Sequence, residues 1–320
     1  MRGLVTGGGG FIGSHLAVRM LELGYDVRVL DNFATGRRSN LGVLGDDIEL
    51  VEGDIQSYER VSKAVAGCDV VFHQAALPSV PRSVQDPLTS NATNVIGTLN
   101  VLLASRDHGV RRVVCASSSS VYGPGGGTRA KREDQPAGPI SPYATAKLAG
   151  EGYARSFHRV YGLETVALRY FNVFGPRQDP TSQYAAVIPN FITAMLAGRR
   201  PVIFGDGEQS RDFTYVANVV DANLLAADAP GVAGRAFNVA CGERVSLNRL
   251  VSDLRALLDT DLAPVYAQPR AGDIKHSLAD LSAAREQLGY EPSVDLREGL
   301  QRTIQHIREE ETLPRQTVPA

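Results

Sequence analysis

The chain has 320 residues, of which 43% are hydrophobic and 21% are charged, as in ordinary globular proteins with one large domain or two closely joined ones. A formal net charge of -2 gives no electrostatic basis for binding nucleic acid or an acidic membrane surface. No apolar run approaches the ~18 residues that cross a bilayer, and the first residues suggest a strand and turn rather than a signal peptide. Three widely spaced cysteines, Cys68, Cys115 and Cys241, fit neither a disulfide nor a metal pattern. We therefore expect reduced thiols, a cytoplasmic protein, and neither nucleic acid nor membrane as partner.

The first half of the chain alternates short apolar runs with longer helical patterns. Strands are predicted at Arg2–Thr6, Asp26–Leu30, Ile48–Val51, Asp69–Phe72, Arg112–Ala116 and Thr165–Arg169. Helices are predicted at Phe11–Leu23, Gln85–His108 and Pro142–Tyr161. This alternation predicts an α/β fold, in which helices cover both faces of a doubly wound parallel sheet.

The pattern loosens after about residue 170 into loops and shorter elements. Short strands are predicted at Pro201–Phe204 and Ala236–Val239, and helices at Val216–Ala227 and Leu247–Leu258. The last residues, Glu309–Ala320, are rich in charge and proline and are expected to fray.

A glycine-rich turn follows the first predicted strand. Gly7, Gly10 and Gly13 allow a tight turn, a close approach of backbone to a pyrophosphate, and close packing of helix on strand. The phosphates are expected at the N-terminus of the following helix. The order of strand, glycines and helix, with Asp31 at the end of the second strand, is typical of a Rossmann dinucleotide site.

The residues after the second strand bear on which dinucleotide is bound. Asp31 favours NAD over NADP, because a carboxylate accepts hydrogen bonds from a ribose diol and repels a 2′-phosphate. Arg37 and Arg38 are the opposing signal, but their place in a polar loop favours solvated surface charges. Asp54, after the third strand, is either a ligand of the adenine amine or an ordinary turn residue.

Tyr143 and Lys147 are four residues apart, directly after Pro142, at the predicted start of a helix. The spacing places a phenol and an ammonium on one helix face. We expect the ammonium and the positive end of the helix to lower the tyrosine pKa from about 10. Upstream, the run Ser117 to Ser120 offers a hydroxyl, Ser118, to the same site, although serines in such positions also cap turns.

Taken together, these stretches resemble the extended short-chain dehydrogenase/reductase family, and within it the UDP-hexose 4-epimerases, from Met1 to roughly Gly299. The supporting stretches are Gly7–Gly13, Asp31-Asn32, Asn94–Thr98, Ser117–Gly123, Tyr143 with Lys147, Arg169–Val173, Gly205–Gly207, Arg211–Phe213 and Arg270–Asp273. The resemblance implies tightly held NAD, a UDP-sugar over the nicotinamide, and a homodimer joined through a helix bundle. It also implies an NAD-binding Rossmann domain at 1–170 and a smaller α/β UDP-sugar-binding domain at 171–320, with some interleaved segments.

The resemblance implies a mechanism that agrees with the residue chemistry. Tyr143 as phenolate would take the proton from the sugar 4-hydroxyl while the C4 hydride passes to the nicotinamide. Lys147 would hold the nicotinamide ribose and keep the phenol acidic, and Ser118 would bind the same oxygen and relay its proton. The transient 4-keto sugar would turn over and take the hydride back on its other face.

The resemblance also assigns binding residues. The further cofactor-binding residues are Phe11, Ile12, Asn32, Asp54, Ile55, Ala75, Asn94 and Tyr170. The further substrate-binding residues are Ser79, Ser119, Ser120, Asn172, Val187, Phe204, Arg211, Arg270, Asp273 and Ser277. Arginines suit phosphate oxygens and an aspartate suits a ribose diol. The alternatives are surface ion pairs for Arg211 and Arg270, and plain core packing for Val187 and Phe204.

Particular positions separate the related reactions. Similar dehydratases carry acids at the positions of Ser119 and Ser120, and similar decarboxylases carry Glu at the second, so two serines favour simple epimerisation. Ser277 stands where narrow glucose/galactose epimerases have a bulky aromatic, which leaves room for an N-acetyl group. Asp179 stands where uronate epimerases have an arginine, and it would repel a carboxylate. We therefore rank UDP-GlcNAc and UDP-Glc above UDP-glucuronate. The alternatives are a dehydratase, a decarboxylase, a reductase, or a non-catalytic protein of the same fold that senses a dinucleotide or binds nucleic acid.

Overall fold

The computed structural model describes residues 1–124, 129–179, 186–269 and 275–312. The strands in these ranges are β1 (Arg2–Thr6), β2 (Asp26–Asp31), β3 (Ile48–Glu52), β4 (Val70–His73), β5 (Arg112–Ser118), β6 (Glu164–Tyr170), β7 (Val173–Phe174), β8 (Val202–Phe204), β9 (Ser210–Arg211), β10 (Thr214–Tyr215), β11 (Arg235–Val239), β12 (Val245–Ser246) and β13 (Val265–Ala267). Seven of them form one parallel sheet in the order β3-β2-β1-β4-β5-β6-β11. The predicted α/β fold and its six first-half strands are confirmed.

The helices cover both faces of this sheet. They are α1 (Phe11–Glu22), α2 (Tyr58–Val65), α3 (Val80–Gln85), α4 (Pro87–Asn91), α5 (Gly97–Asp107), α6 (Pro142–Tyr161), α7 (Val187–Leu196), α8 (Val216–Asp228), α9 (Leu247–Leu258), α10 (Ser282–Leu288) and α11 (Leu296–Thr312). Among the described residues, no helix is both long enough and apolar enough to pass through a membrane.

One predicted helix is divided. The span Gln85–His108 contains α4, a π-helical turn at Ala92–Ile96, and then α5. Asp86 starts α4, because its carboxylate accepts a hydrogen bond from the backbone N–H of Thr89 at 3.0 Å. The prediction of one uninterrupted helix was therefore wrong in detail.

The start and end of α6 have local causes. The Ser141 hydroxyl accepts a hydrogen bond from the Ala144 backbone N–H at 3.2 Å, and Pro142 occupies the first helical position. Gly162 ends the helix in the left-handed conformation, with φ of 73°. These residues give the helix the bounds that its sequence predicts.

Part of the second half completes the first-half core. Strand β11 pairs with β6 from Arg235 opposite Val166 to Val239 opposite Tyr170. Helix α8 packs against α1, β5 and β6. A second apolar cluster joins α7, α9 and α11. The proposed domain boundary near residue 170 stays a prediction.

The end of the chain differs from its expectation. Helix α11 extends to Thr312, so the first residues of the segment expected to fray are helical. Residues 313–320 lie outside the described ranges.

Candidate active site

The carboxyl ends of the central strands form one edge of the sheet. The last residues of β1, β2, β4, β5 and β6 are Thr6, Asp31, His73, Ser118 and Tyr170. Strand order reverses between β1 and β4, and ligands of doubly wound sheets bind outside the carboxyl ends at such a reversal. The predicted cofactor and catalytic residues therefore cluster where the fold favours a site.

The glycine-rich turn forms a cradle that side chains would fill. Gly7 has φ of 72°, and a Cβ there would lie 2.7 Å from the Ala75 backbone. A Cβ on Gly13 would lie 2.2 Å from the Gly7 carbonyl oxygen. Gly10 precedes α1 without a side-chain cap, and the first turn has no acidic residue. These residues fit the diphosphate of a dinucleotide at a helix N-terminus.

Asp31 braces the glycine turn from the end of β2. Its Oδ2 accepts a hydrogen bond from the Gly9 backbone N–H at 2.8 Å, and its Oδ1 accepts one from the Phe33 N–H at 2.7 Å. Burial raises the pKa of Asp31, and the backbone hydrogen bonds oppose that rise. Phe33 has φ of 54°, which is uncommon for an aromatic residue and typical of a functional loop.

The two arginines after β2 are paired with carboxylates. Arg37 contacts Asp179 at 2.8 Å, and Arg38 contacts Glu52 while its guanidinium lies 4.3 Å from the Phe33 ring centroid. Both arginines are about half exposed, as predicted, but neither is simply solvated. Their carboxylate partners weaken the signal for a 2′-phosphate.

The predicted adenine side of the site contains Asn32, Asp54 and Ile55. The Asn32 side-chain amide donates to Asp54 Oδ2 at 2.8 Å, and the Gln56 backbone N–H donates to Asp54 Oδ1 at 2.8 Å. Asp54 thus makes the contacts of a turn residue, and its role as a ligand of the adenine amine stays a prediction. The Ile55 side chain is buried, and its carbonyl accepts a hydrogen bond from the Asn100 amide at 3.0 Å.

Ala75 lies beside Gly7, and Asn94 holds the segment that follows it. Asn94, in the π-helical turn, accepts from the Leu77 N–H at 2.8 Å and donates to the Leu77 carbonyl at 3.2 Å. The Ala75 N–H donates to the Thr6 hydroxyl at 3.3 Å. Single-turn π-helices occur frequently at functional sites, and this one fixes the segment after β4.

The remaining predicted cofactor residues are largely apolar. Phe11 and Ile12 begin α1 and pack against the second apolar cluster. The Tyr170 hydroxyl donates to Gln74 at 3.1 Å and accepts from the Asn223 amide at 2.8 Å. Burial raises the pKa of Tyr170, so its phenol stays neutral and structural.

The predicted catalytic residues are brought together by α6 and β5. The Tyr143 phenol is hydrogen-bonded to the Ser118 side chain. The Lys147 ammonium donates to the Ala116 carbonyl at 2.9 Å and lies 5.9 Å from the centroid of the Tyr143 ring. Ser83, from α3, accepts a hydrogen bond from the Tyr143 backbone N–H at 3.0 Å. This serine was missed as a partner of Tyr143, because no spacing rule links it to α6.

The electrostatics of this cluster correct one expectation. Burial raises the pKa of Tyr143, and the hydrogen bond from Ser118 only partly opposes that rise. Burial also lowers the pKa of Lys147, to about 8. We expected Lys147 to lower the pKa of the Tyr143 phenol, and for the protein without bound NAD this expectation was wrong. Desolvation penalises the charged form of both groups, and the ammonium bonds to a carbonyl and not to the phenol.

The serines around Ser118 occupy a 3₁₀ turn at Ser119–Tyr122. The Ser118 hydroxyl accepts from the Ser120 N–H at 3.2 Å. The Ser120 hydroxyl is buried and has no hydrogen-bond partner among the described residues, so it is suited to a ligand. Ser79 caps α3, accepting from the Arg82 N–H at 3.1 Å.

Three predicted substrate residues from the second half share one hydrogen-bonded region. The Asn172 amide donates to the Asp212 carbonyl at 3.0 Å, and Asn172 has φ of 34°. Arg211 donates to the Ser210 carbonyl at 3.0 Å, and the Ser277 N–H donates to the same carbonyl at 3.0 Å. The structure therefore places Asn172, Arg211 and Ser277 on connected backbone.

The other predicted substrate residues of the second half are Val187, Phe204, Arg270 and Asp273. Val187 begins α7 and packs against the second apolar cluster, and Phe204 ends β8. Arg270 and Asp273 lie outside the described residues.

Asp212 is a structural residue of the site that sequence reasoning did not single out. Its buried carboxylate accepts hydrogen bonds from the backbone N–H groups of Cys241, Gly242 and Ala279 at 3.0 to 3.2 Å. Burial raises the pKa of Asp212 to about 6, against the effect of these donors. From the sequence we selected its neighbour Arg211 and not Asp212, because the hydrogen-bond partners of Asp212 lie far away in the sequence.

Comparison with known proteins identifies the family. The model of the NAD dependent epimerase/dehydratase family matches residues 3–240. The chain belongs to this family. It is 41% identical over 314 residues to a UDP-glucose 4-epimerase of Mycolicibacterium smegmatis, which covers 96% of this chain and 99% of that protein.

Solved structures of epimerases share the fold over nearly the whole chain. A UDP-N-acetylglucosamine 4-epimerase from Methanobrevibacter ruminantium M1, in complex with UDP-N-acetylmuramic acid, has a TM-score of 0.92 and 41% identity, covering 97% of this chain and 98% of that one. A UDP-glucose 4-epimerase from Thermotoga maritima, with UDP-glucose, has a TM-score of 0.92 and 40% identity, covering 97% and 100%. The predicted family, fold and cofactor are confirmed.

Proposed function

We propose that this epimerase-family protein catalyses NAD-dependent C4 epimerisation of a UDP-hexose, UDP-GlcNAc/UDP-GalNAc or UDP-Glc/UDP-Gal or both, through a 4-keto sugar. The observation that carries this proposal is the cluster of Ser118, Tyr143 and Lys147 beside the glycine cradle at the carboxyl edge of the sheet. That cluster combines a proton acceptor, a relay hydroxyl and a buried cation.

The cofactor is held by residues of the first half of the chain. Gly7, Gly10 and Gly13 would receive the diphosphate, and Asp31 would face the adenine ribose. Bound NAD would supply a positively charged ring that accepts hydride from sugar C4 and returns it, and this charge favours phenolate over phenol. Burial raises the pKa of Tyr143, and such a nearby positive charge would oppose that rise.

The protein's own residues move the proton. Tyr143 takes it from the sugar 4-hydroxyl and later gives it back, because its Oη as phenolate is a proton acceptor of the cluster. Ser118 is hydrogen-bonded to that phenol and transfers the proton between sugar oxygen and Oη. Lys147 binds the nicotinamide ribose with its remaining N–H donors, since its ammonium is positioned by the Ala116 carbonyl.

Loss of water or carbon dioxide is less well supported. The 3₁₀ turn after Ser118 carries serines at 119 and 120, and neither side chain is acidic enough to protonate a departing hydroxyl. Asp179 is an anion that pairs with Arg37, so its own side chain offers no cation to a uronate carboxylate. The 4-epimerisation of an uncharged sugar ring is therefore favoured over both alternatives.

The second half supplies the proposed nucleotide-sugar contacts. Arg211 and Arg270 would bind the diphosphate, and Asp273 would bind the uridine ribose. Ser277 is small and adjoins the same backbone as Arg211, so it leaves space beside sugar C2 for an N-acetyl group. This supports UDP-GlcNAc as a substrate together with UDP-Glc.

We further propose a cytoplasmic homodimer. Helices α5 and α6 pack side by side, and exposed apolar side chains lie directly before α5 and on α6. Ile96, just before α5, is 45% exposed, and Tyr153 on α6 is 37% exposed. A second copy of the chain would cover these side chains in a helix bundle.

The proposal is tested by incubating purified protein separately with UDP-GlcNAc, UDP-Glc and UDP-glucuronate, without added NAD. We expect the first two to form their C4 epimers, because the cofactor is regenerated in each cycle and need not be supplied. Failure to convert any of the three would refute the proposed function.

A further inference from the structure

Glu151 extends the catalytic face of α6 by one more turn. Tyr143, Lys147 and Glu151 are spaced by four residues, so they share one side of the helix. The Glu151 side chain is 3% exposed, and that of its partner Arg169 is 5% exposed. A buried carboxylate on the catalytic face that takes no part in the proposed proton transfer requires a role.

The Glu151 carboxylate joins three elements. Its Oε1 accepts from the Ser117 hydroxyl at 2.5 Å and from Arg169 Nε at 2.9 Å. Its Oε2 accepts from Arg169 Nη2 at 2.7 Å. Ser117 precedes Ser118 at the end of β5, and Arg169 precedes Tyr170 at the end of β6. Glu151 therefore ties α6 to the two strand ends that border the site.

Stability alone is a weak reason for this ion pair. Burial lowers the pKa of Arg169, but the hydrogen bonds and charge of Glu151 more than offset that effect, so the pKa is raised. Well-packed apolar replacements of buried ion pairs are often neutral or stabilising, because the charges no longer have to be desolvated. What apolar side chains cannot replace is the directional hold on Ser117.

A small cavity lies between the hydrogen-bonded pair Glu151 and Ser117 and the proposed catalytic residue Lys147. It measures about 10 Å³, and Lys147, Glu151, Ser117, His73 and Thr98 are among its lining residues. This space admits one water molecule at most. A shift of Glu151 would thus change the surroundings of Lys147 directly.

We propose that Glu151 is a positioning residue that, through Ser117 and Arg169, fixes the end of β5 against α6 and so sets Ser118 against Tyr143. The proposal rests on the proposed epimerase function. It predicts that loss of the carboxylate lowers kcat while leaving substrate and cofactor binding in place.

The chain provides a matched control pair. Arg112 and Glu164 form an ion pair at 2.7 Å between the opposite ends of the same two strands. The variant Glu151→Leu/Arg169→Met is compared with Arg112→Met/Glu164→Leu. We expect the first to fold and keep KM within about 3-fold, while kcat falls about 100-fold through misplacement of the reacting groups. The control is expected to keep kcat within about 2-fold.

Ser117 gives a second test if the double variant does not fold. Ser117→Ala removes the hydroxyl and is expected to lower kcat about 10-fold. Ser117→Thr keeps the hydroxyl and is the conservative variant, so we expect it to retain most of the activity. Equal activity in Ser117→Ala and wild type would overturn the proposal.

An electrostatic readout separates this proposal from the proposed function. Glu151→Gln leaves Arg169 uncompensated and is expected to lower the pKa of Tyr143, whereas Arg169→Met leaves an anion and is expected to raise it. Tyrosinate absorbance, taken as the difference from Tyr143→Phe, follows this ionisation without turnover. Turnover by the wild-type protein tests the epimerase function. The positioning role would be overturned if tyrosinate titrated at the same pH in both variants and kcat were unchanged in both.

Discussion

Tyr143 and Lys147 show how burial modifies chemistry that spacing predicts. Their four-residue separation predicts one shared helix face, and the structure has both near the start of α6 and beside the end of β5. Spacing carries no information on solvation, however, and desolvation raises the pKa of one and lowers that of the other. Sequence therefore predicted the members of the cluster but not their ionisation.

Tyr143→Phe tests the assignment of the proton acceptor. Removing only the phenolic oxygen is expected to reduce kcat by about 10³-fold, within the range for general acid–base groups. Cofactor content, measured after denaturation, and the melting temperature should match wild type, because the ring still fills its place. Full retention of activity would refute the role of Tyr143.

Lys147→Met tests the electrostatic cost of the site. The folded-state pKa is about 8 and the ordinary value is 10.5, so between these pH values the unfolded chain binds more protons. Stability due to this group therefore rises with pH across the window and is lowest below pH 8. We expect Lys147→Met to abolish turnover yet to raise the free energy of unfolding at pH 7, with a smaller gain at pH 10.

Urea unfolding at the two pH values measures this effect. Lys63, an exposed residue of α2, gives the control variant Lys63→Met, which should change stability little at either pH. Equal destabilisation by Lys147→Met at both pH values would contradict the account of a buried, strained ammonium.

Ser277→Tyr tests the basis of sugar choice. A phenol ring beside sugar C2 would occupy the space proposed for the N-acetyl group, so conversion of UDP-GlcNAc should fall by at least 10-fold, a loss of ~1.4 kcal/mol or more in transition-state binding. Conversion of UDP-Glc should persist, and Ser277→Ala should retain both activities. Product analysis by chromatography distinguishes these outcomes. Loss of both activities, or of neither, would show that Ser277 does not border C2.

At the scale of elements, the glycine turn is the feature that the sequence determines most directly. Gly13 is constrained by distance alone, because a Cβ would lie 2.2 Å from the Gly7 carbonyl. The strands β1 to β6 were predicted for a similar reason: each is a short apolar run with its own sequence boundary.

Gly13→Ala is expected to displace α1 from the turn and to release the cofactor. The overpacking should cost about 1–3 kcal/mol of stability, and purified protein should contain less than half the wild-type NAD. Gly42→Ala is the matched control, since a Cβ there meets nothing within 4 Å. Cofactor released on denaturation measures the result, and equal content in both variants would contradict the cradle.

Other elements could not be predicted from local pattern. The π-helical turn at Ala92–Ile96 depends on the contact of Asn94 with Leu77 across 17 residues. Helix α7 contains Pro189, so its sequence gives a weak helical signal, and tertiary packing around the second apolar cluster stabilises it.

At the scale of the molecule, long-range pairing determines which segments build the site. Strand β11 joins the central sheet although it follows β6 by more than 60 residues, and Asp212 joins segments near Cys241 and Ala279. The sequence can single out residues that make such contacts, but it does not show which distant residue each one pairs with. This is why Arg169 with Glu151 and Ser83 with Tyr143 emerged only from the structure.

The proposed dimer is tested at the same scale. Ile96→Glu with Tyr153→Glu would place charges in a helix-bundle interface, and we expect a monomer by light scattering. Val43→Glu is the control, because Val43 is 69% exposed on a distant 3₁₀ turn and should leave the dimer intact. A monomeric wild type, or an unchanged dimer in the double variant, would contradict this interface.

The central claim is that the C4 hydrogen leaves and returns as hydride while Tyr143 handles only the hydroxyl proton. UDP-glucose carrying deuterium at C4 tests it most directly, with the product isolated and analysed by mass spectrometry and NMR. The account predicts a C4-epimerised product that retains the label, with no uptake of hydrogen from water. A product whose C4 deuterium has been exchanged for solvent hydrogen would contradict it.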